Sequence, residues 1–171
     1  NIVVLRWDRT MEDAEAATLQ YALERGMEIA FQLEDSELAS ERLPDPDGHG
    51  RVMFIESAEG GAGVLRRLQA EPAAISRVAE AALELLHIDP ETGQERDDAC
   101  LRGCYRCVLS YGNQTFHELI DRRTAIPTLR ALTTARTTAA DPSPSSAEPQ
   151  PDRPPIATDG RAQELEAWLR A

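Results

Sequence analysis

The chain opens on Ile2-Val3-Val4-Leu5-Arg6-Trp7, a short β-branched run that predicts a strand over Ile2–Trp7. From Met11 to Ile29 the pattern changes, and Ala14, Ala17, Leu19, Ala22, Leu23 and Met27 recur at helical spacing. Thr10 is placed to cap this helix, with Asp13 at the capping-box distance and acids crowding the first turn. Ile29–Leu33 reads as a second strand, Pro44–Gly50 as an exposed loop of turn formers, and Arg51–Glu56 as a third, buried strand. Glu59-Gly60-Gly61-Ala62-Gly63 then leads into a helix over Val64–Leu68. A second helix runs from Pro72 or Ala73 to His87, with proline in its first turn. Residues 88–99 are polar and irregular, and Asp89-Pro90-Glu91-Thr92-Gly93 has the composition of a turn. Farther on, Phe116, Leu119, Ile120, Ile126, Leu129 and Leu132 predict one or two more helices, adjusted at Pro127.

This order of elements implies an α/β (or α+β) fold: a small sheet with packed helices. Residues 141–155 hold 6 prolines and no large apolar side chain, the composition of a disordered linker. Leu165, Trp168 and Leu169 then begin a new amphipathic stretch. The expected organisation is a domain over 1–136, a Pro/Ser-rich linker over 137–160, and the start of a following helix or domain over 161–171. The chain starts at Asn1 and runs straight into apolar residues, so it reads as a piece of a longer protein without a signal peptide. No apolar run approaches the roughly 18 residues of a membrane span, so the expectation is a soluble, cytoplasmic protein with no membrane partner.

Composition removes some activities. All 18 basic residues are arginine. Without lysine the chain offers neither a P-loop lysine nor a Schiff-base amine. The formal charge of −12 is unevenly spread: residues 1–95 carry 8 arginines against 20 acids, whereas residues 96–136 carry 7 against 4. Any contact with nucleic acid is therefore expected from residues 96–136, with Arg102, Arg106, Arg122 and Arg123 as candidate DNA contacts.

All 3 cysteines fall inside that basic stretch, as Cys100-x3-Cys104-x2-Cys107. An odd, tightly clustered set points to a metal rather than to disulfides, and soft thiolates point to zinc, which takes four tetrahedral ligands. The expected cofactor is one zinc, and its fourth ligand is open. His117 lies ten residues after Cys107 and His87 thirteen before Cys100, while Asp97 and Asp98 are nearer but less usual in thiolate sites. His117 is preferred, with His87 the alternative. Water in the fourth position would make the zinc catalytic in type.

Two segments carry a family resemblance. Phe54-Ile55-Glu56-Ser57-Ala58-Glu59-Gly60-Gly61-Ala62-Gly63-Val64-Leu65-Arg66-Arg67-Leu68 resembles one signature of the MrfA-type zinc-binding domain. Cys100-x3-Cys104-Tyr105-Arg106-Cys107-Val108-Leu109-Ser110-Tyr111-Gly112-Asn113-Gln114, with His117 and Leu119-Ile120-Asp121-Arg122, resembles another. The resemblance covers about residues 1–135. It implies an accessory domain that follows the motor in bacterial and fungal superfamily-2 DNA helicases of the mitomycin-repair type, and that also occurs in a component of the DISARM phage-defence system. It further implies that ATP and magnesium belong to motor domains elsewhere in the parent chain, that DNA is the parent's partner, and that this fragment is not itself an enzyme. Glu59, Gly60, Gly61, Gly63, Asn113, Gln114, Asp121 and Arg122 are its other motif residues. Family members often carry a fourth cysteine where this chain has Asn113.

Each of these residues also has a purely structural reading. The glycines serve either an anion at a helix start or a tight strand-to-helix turn, and Glu59 together with the missing lysine favours the turn. Asn113, Gln114, His117, Asp121 and Arg122 either touch DNA or knit the zinc site to the core. Tyr105 and Tyr111 could stack on bases, but two tyrosines make a weak signal. Beside the helicase accessory domain stand two other classes: a structural module of a defence complex, and a zinc hydrolase or nuclease. The last lacks paired carboxylates and the H-x-E signature of the zinc deaminases.

Overall fold

The computed structural model describes residues 1–34, 37–57 and 63–138. In chain order they form β1 (Ile2–Thr10), α1 (Asp13–Phe31), β2 (Leu38–Arg42), β3 (His49–Glu56), α2 (Val64–Ala70), α3 (Ala74–Leu85), a 3-10 helix (Tyr111–Phe116) and α4 (Arg122–Thr133). The expectations for residues 139–171, which include most of the linker and the whole final helix, lie outside the described residues. Thr137 is still tied to the body, donating its N–H to the Pro72 carbonyl at 2.9 Å. No helix among the described residues is long and apolar enough to cross a membrane.

The strands form one antiparallel sheet in the order β1-β3-β2, with Val3 opposite Phe54 and Ser40 opposite Phe54 on the other side. Along β3 the side chains alternate, with Val52 and Phe54 buried while Met53 and Ile55 are part-exposed. α1 packs on the inner face and also crosses α3, which packs in turn against α4. The α1–α3 crossing is close because Gly26 meets it: a Cβ there would stand 2.6 Å from the Val78 carbonyl oxygen and 3.0 Å from Ala82 Cβ.

β1 extends past Trp7 to Thr10, β3 begins at His49 inside the expected Pro44–Gly50 loop, and two further expectations are overturned. The strand expected over Ile29–Leu33 is instead the end of α1, which runs to Phe31 and stops at Gln32 in the left-handed region, φ 58°. Met27 and Phe31 lie four residues apart on one helical face, and Phe31 sits beneath the guanidinium groups of Arg67 and Arg77, at 4.8 and 5.9 Å. A stretch of five residues with four apolar positions cannot by itself distinguish the two periods. The strand that does form, Leu38–Arg42, has only Leu38 as a large apolar residue because it lies at the sheet edge. Thr10 does not cap α1. It ends β1, and Glu12 stands at the cap without a side-chain bond.

At the end of β3, Glu56 turns its carboxylate onto the start of α2. It accepts the Leu65 N–H at 2.8 Å and the Asn1 side-chain amide at 2.6 Å, and the N–H groups of Val64 and Gly63 also point at it. The helix start that an anion would use is filled by the chain's own carboxylate. Gly63 is in the left-handed region, φ 75°, with no described atom within 4 Å of the place its Cβ would take, so its role is conformational. Glu59, Gly60 and Gly61 lie outside the described residues.

Two outcomes follow from this packing. Gly26→Ala gains helix propensity but forces α1 off α3, and is expected to lower unfolding free energy by about 1–3 kcal/mol in a denaturant titration. Burial pushes the Glu56 carboxyl up, but the hydrogen bonds from Leu65, Asn1, Val64 and Gly63 outweigh it and hold it below its ordinary 4.5. A depressed carboxylate contributes stability above its unfolded pKa and loses it as pH falls through the folded value. Melting temperature should therefore drop as pH falls below about 4.5. Glu56→Gln should cost about 1–3 kcal/mol at neutral pH and flatten that acid slope.

Candidate metal centre

α3 ends on a tight reversal. His87 adopts φ 60°, while the His87 N–H bonds to the Glu84 carbonyl at 3.0 Å and the Ile88 N–H to the Leu83 carbonyl at 2.9 Å. This is a Schellman termination with histidine in the position usually taken by glycine. A left-handed conformation costs a residue with a Cβ about 1–2 kcal/mol. Ile88 and Glu95 then form an antiparallel bridge. The turn between them is held by Asp89, which accepts the N–H groups of Glu91 and Thr92 at 3.0 and 2.8 Å. The Arg96 N–H closes on the His87 carbonyl at 2.7 Å, so the chain comes back beside the end of α3.

The three cysteines occupy this returning segment. Cys104-x2-Cys107 forms a knuckle: the Cys104 N–H donates to Cys107 Sγ at 3.0 Å and the Cys107 N–H to the Cys104 carbonyl at 3.0 Å. Cys107 Sγ stands 3.5 Å from Cys104 Sγ and 3.8 Å from Cys100 Sγ. His87 Nε2 reaches Cys104 Sγ at 3.4 Å, and the donor atoms of all four residues lie within 4.8 Å of one another. Tetrahedral ligands on Zn–S bonds of about 2.3 Å stand about 3.8 Å apart, so the spacing and softness of these donors fit zinc. Cys100 and Cys107 are buried and Cys104 is part-exposed.

The electrostatics agree with a cation-binding set. Burial, reinforced by the neighbouring sulfurs of Cys104 and Cys107, pushes the Cys100 thiol up to about 12. Burial also raises Cys107. Burial would raise Cys104 too, but hydrogen bonds from His87, the Arg106 N–H and the other two sulfurs prevail and bring it down to about 6. As thiolates the three would repel one another at these distances, and a divalent cation would supply the compensating charge.

The preferred fourth ligand, His117, is not in the cluster. Its Nε2 lies 3.0 Å from the Ser110 carbonyl and 2.9 Å from Asn113 Oδ1, and Tyr105 packs edge-on against its ring at 5.7 Å. Asn113, at the position of the absent fourth cysteine, is buried and knits the 3-10 helix, accepting the Ser110 N–H and donating to the Val108 carbonyl, both at 2.8 Å. The structure brings the alternative, His87, to the sulfurs instead. Among the described residues one further group of potential ligands converges, Asp45, Asp47 and His49. There Asp45 is already engaged by Arg6 and Arg51.

The motif and arginine candidates separate by burial. Arg122 has 0% exposure, so this candidate DNA contact has no surface to offer. Its guanidinium binds the carbonyls of Cys100 and Leu86, at 2.6 and 3.1 Å, and the Glu95 carboxylate. Arg102, Arg106 and Arg123 are exposed, with 56, 77 and 49% of their side chains open. Each faces an acid: Asp121 at 3.5 Å, Asp97 at 2.9 Å and Glu95 at 2.8 Å respectively. Asp121 also caps α4 by accepting the Arg123 N–H at 3.0 Å. Gln114 is exposed, and its carbonyl accepts the His117 N–H at 3.3 Å.

The family model described as MrfA Zn-binding domain matches residues 19–108, a span that includes His87 and all three cysteines. No curated protein and no solved structure matches the chain.

The strained histidine yields a test that separates ligation from packing. Glycine is free of the φ 60° penalty that His87 carries. His87→Gly should leave the metal-free chain melting no lower than the parent. It should also weaken zinc by more than the roughly 100-fold that loss of an outer partner costs, measured by chelator competition. His117→Ala should keep zinc.

Proposed function

The chain belongs to the MrfA Zn-binding domain family, and from that premise we propose that it is the zinc-held accessory domain of an ATP-dependent DNA helicase acting in the cytoplasm in DNA repair or phage defence. The observation that carries the zinc part of this reading is the convergence of His87 on Cys100, Cys104 and Cys107. These four would hold one zinc, which would supply a cross-link between the end of α3 and the knuckle. With four protein donors no position is left for water or substrate, so the ion is structural, and the hydrolase reading loses its chemistry.

The motor, with its ATP and magnesium, belongs to other parts of the parent chain, consistent with a lysine-free sequence. Toward that motor the domain acts as architecture. The exposed Arg102, Arg106 and Arg123 of the zinc end each face a carboxylate, Arg123 sharing Glu95 with the buried Arg122, and phosphate binding rests on cations available to replace counterions. DNA is engaged by the parent chiefly through its motor, with this domain holding the motor's surroundings in shape.

Elemental analysis of the purified chain should give one zinc, lost when Cys100, Cys104 and Cys107 are changed together to serine. A metal-free parent, or a metal-replete triple variant, overturns the site. The isolated chain should turn over no ATP above a buffer control. In the parent protein His87→Ala should lower DNA-stimulated ATP turnover, whereas Arg106→Ala should not. Unchanged turnover in the zinc-depleted parent protein would refute the architectural role.

A further inference from the structure

We infer that Arg122 is the positioning residue of this metal centre, its guanidinium setting the separation between the His87 arm and the Cys100 arm. The inference rests on the zinc reading above and goes beyond it. Two of the four donors need no outside help, because the Cys104–Cys107 knuckle orders its own sulfurs through the Cys104 N–H to Cys107 Sγ bond of 3.0 Å. His87 and Cys100 have no such link to each other. They sit on segments of the chain separated by the whole 88–99 loop.

Arg122 spans that gap. Nη1 donates at 3.1 Å to the carbonyl of Leu86, the peptide unit that leads directly into His87. Nε donates at 2.6 Å to the carbonyl of Cys100 itself. Nη2 donates to the Glu95 carboxylate, and to the Asp97 carbonyl at 3.4 Å. A guanidinium is planar with donors at fixed angles, so carbonyls bound along its edges are held at a fixed spacing. The plane is itself anchored. The Arg122 N–H bonds to the Arg102 carbonyl at 2.7 Å, and the Asp121 N–H bonds to Thr18 Oγ1 of α1 at 3.0 Å. Glu95 supplies the counter-charge and is shared with Arg123 on the exposed side. Metal ligands oriented by an outer set of hydrogen bonds lose affinity when that set is removed, which is the behaviour expected here.

The test compares Arg122→Lys, Glu95→Gln and Arg123→Ala with the parent, in zinc affinity by chelator competition and in the ligand-field spectrum of the cobalt(II)-loaded chain. Lysine keeps the charge but offers a single ammonium in place of the fork. Arg122→Lys should weaken zinc by about 10- to 100-fold and change the cobalt spectrum, Glu95→Gln should weaken it less, and Arg123→Ala should match the parent. Melting with and without zinc adds a second readout. A packing role lowers both temperatures equally, whereas a positioning role shrinks the rise that zinc produces. Parental affinity with an unchanged cobalt spectrum in Arg122→Lys would overturn the inference while leaving the zinc site standing. A parent chain that binds no zinc would refute the site reading instead. Should Arg122→Lys fail to fold, Glu95→Gln decides alone, and parental affinity there overturns the inference.

Discussion

Arg122 carries a charge with no access to water, and much of the helical end is arranged around that fact. Burying an ion costs several kcal/mol unless its donors are matched and its charge is answered. Here the matching comes from carbonyls of the irregular stretch between α3 and the knuckle, at Leu86, Asp97 and Cys100. Among the described residues the carbonyls of Leu86 and Cys100 have no strand or helix partner and would otherwise be orphans, while that of Asp97 also accepts the Cys100 N–H at 3.2 Å. One side chain from α4 therefore does for this loop what a neighbouring strand does in a sheet. It lets a segment with no regular structure be packed against the core.

The same residue type recurs wherever the fold needs a cation to lie flat. Arg42 lies over Phe116 at 4.9 Å and Arg67 over Phe31 at 4.8 Å, while Arg67 and Arg77 also converge on Glu71. A chain without lysine has only planar, permanently charged side chains for such roles, and they stack and fork where an ammonium would only point. Five of the seven arginines in residues 96–136 are engaged within the domain: Arg122 is buried, and Arg96, Arg102, Arg106 and Arg123 each face a carboxylate, while Arg130 and Arg136 are exposed.

The layered fold was legible in the sequence because its strands and helices keep clear periods. Ile2–Trp7 lies within β1, Arg51–Glu56 within β3, and the Ala14-to-Met27 face is the buried face of α1. β2 was not, since an edge strand reading Leu-Ala-Ser-Glu-Arg needs only one large apolar residue. In the metal centre the cysteine spacing carried its own message, being a local property of the eight residues Cys100–Cys107. The fourth donor is a long-range property, and the place of His117 one helical turn beyond Asn113, where family members often carry a cysteine, favoured it over His87. Asp89–Gly93 held the missing signal. A turn there reverses the chain, and a reversal beginning just after His87 returns the following cysteines to it. Asn113 illustrates the opposite case: where a cysteine is expected, a buried amide closes a hydrogen-bonded cap and draws His117 to itself.

The choice of His87 also explains why a strained residue persists at a place where glycine is easier. A left-handed backbone at the end of α3 turns the imidazole back toward the core side of the loop, against Cys104 Sγ at 3.4 Å. Strain of this kind survives only where the surroundings over-determine it. Here the Schellman bonds hold it from the helix side and the Arg96 N–H holds it from the loop side. Metal binding and local folding would then draw on the same free energy, because the geometry that strains His87 is the geometry that brings it to the three cysteines.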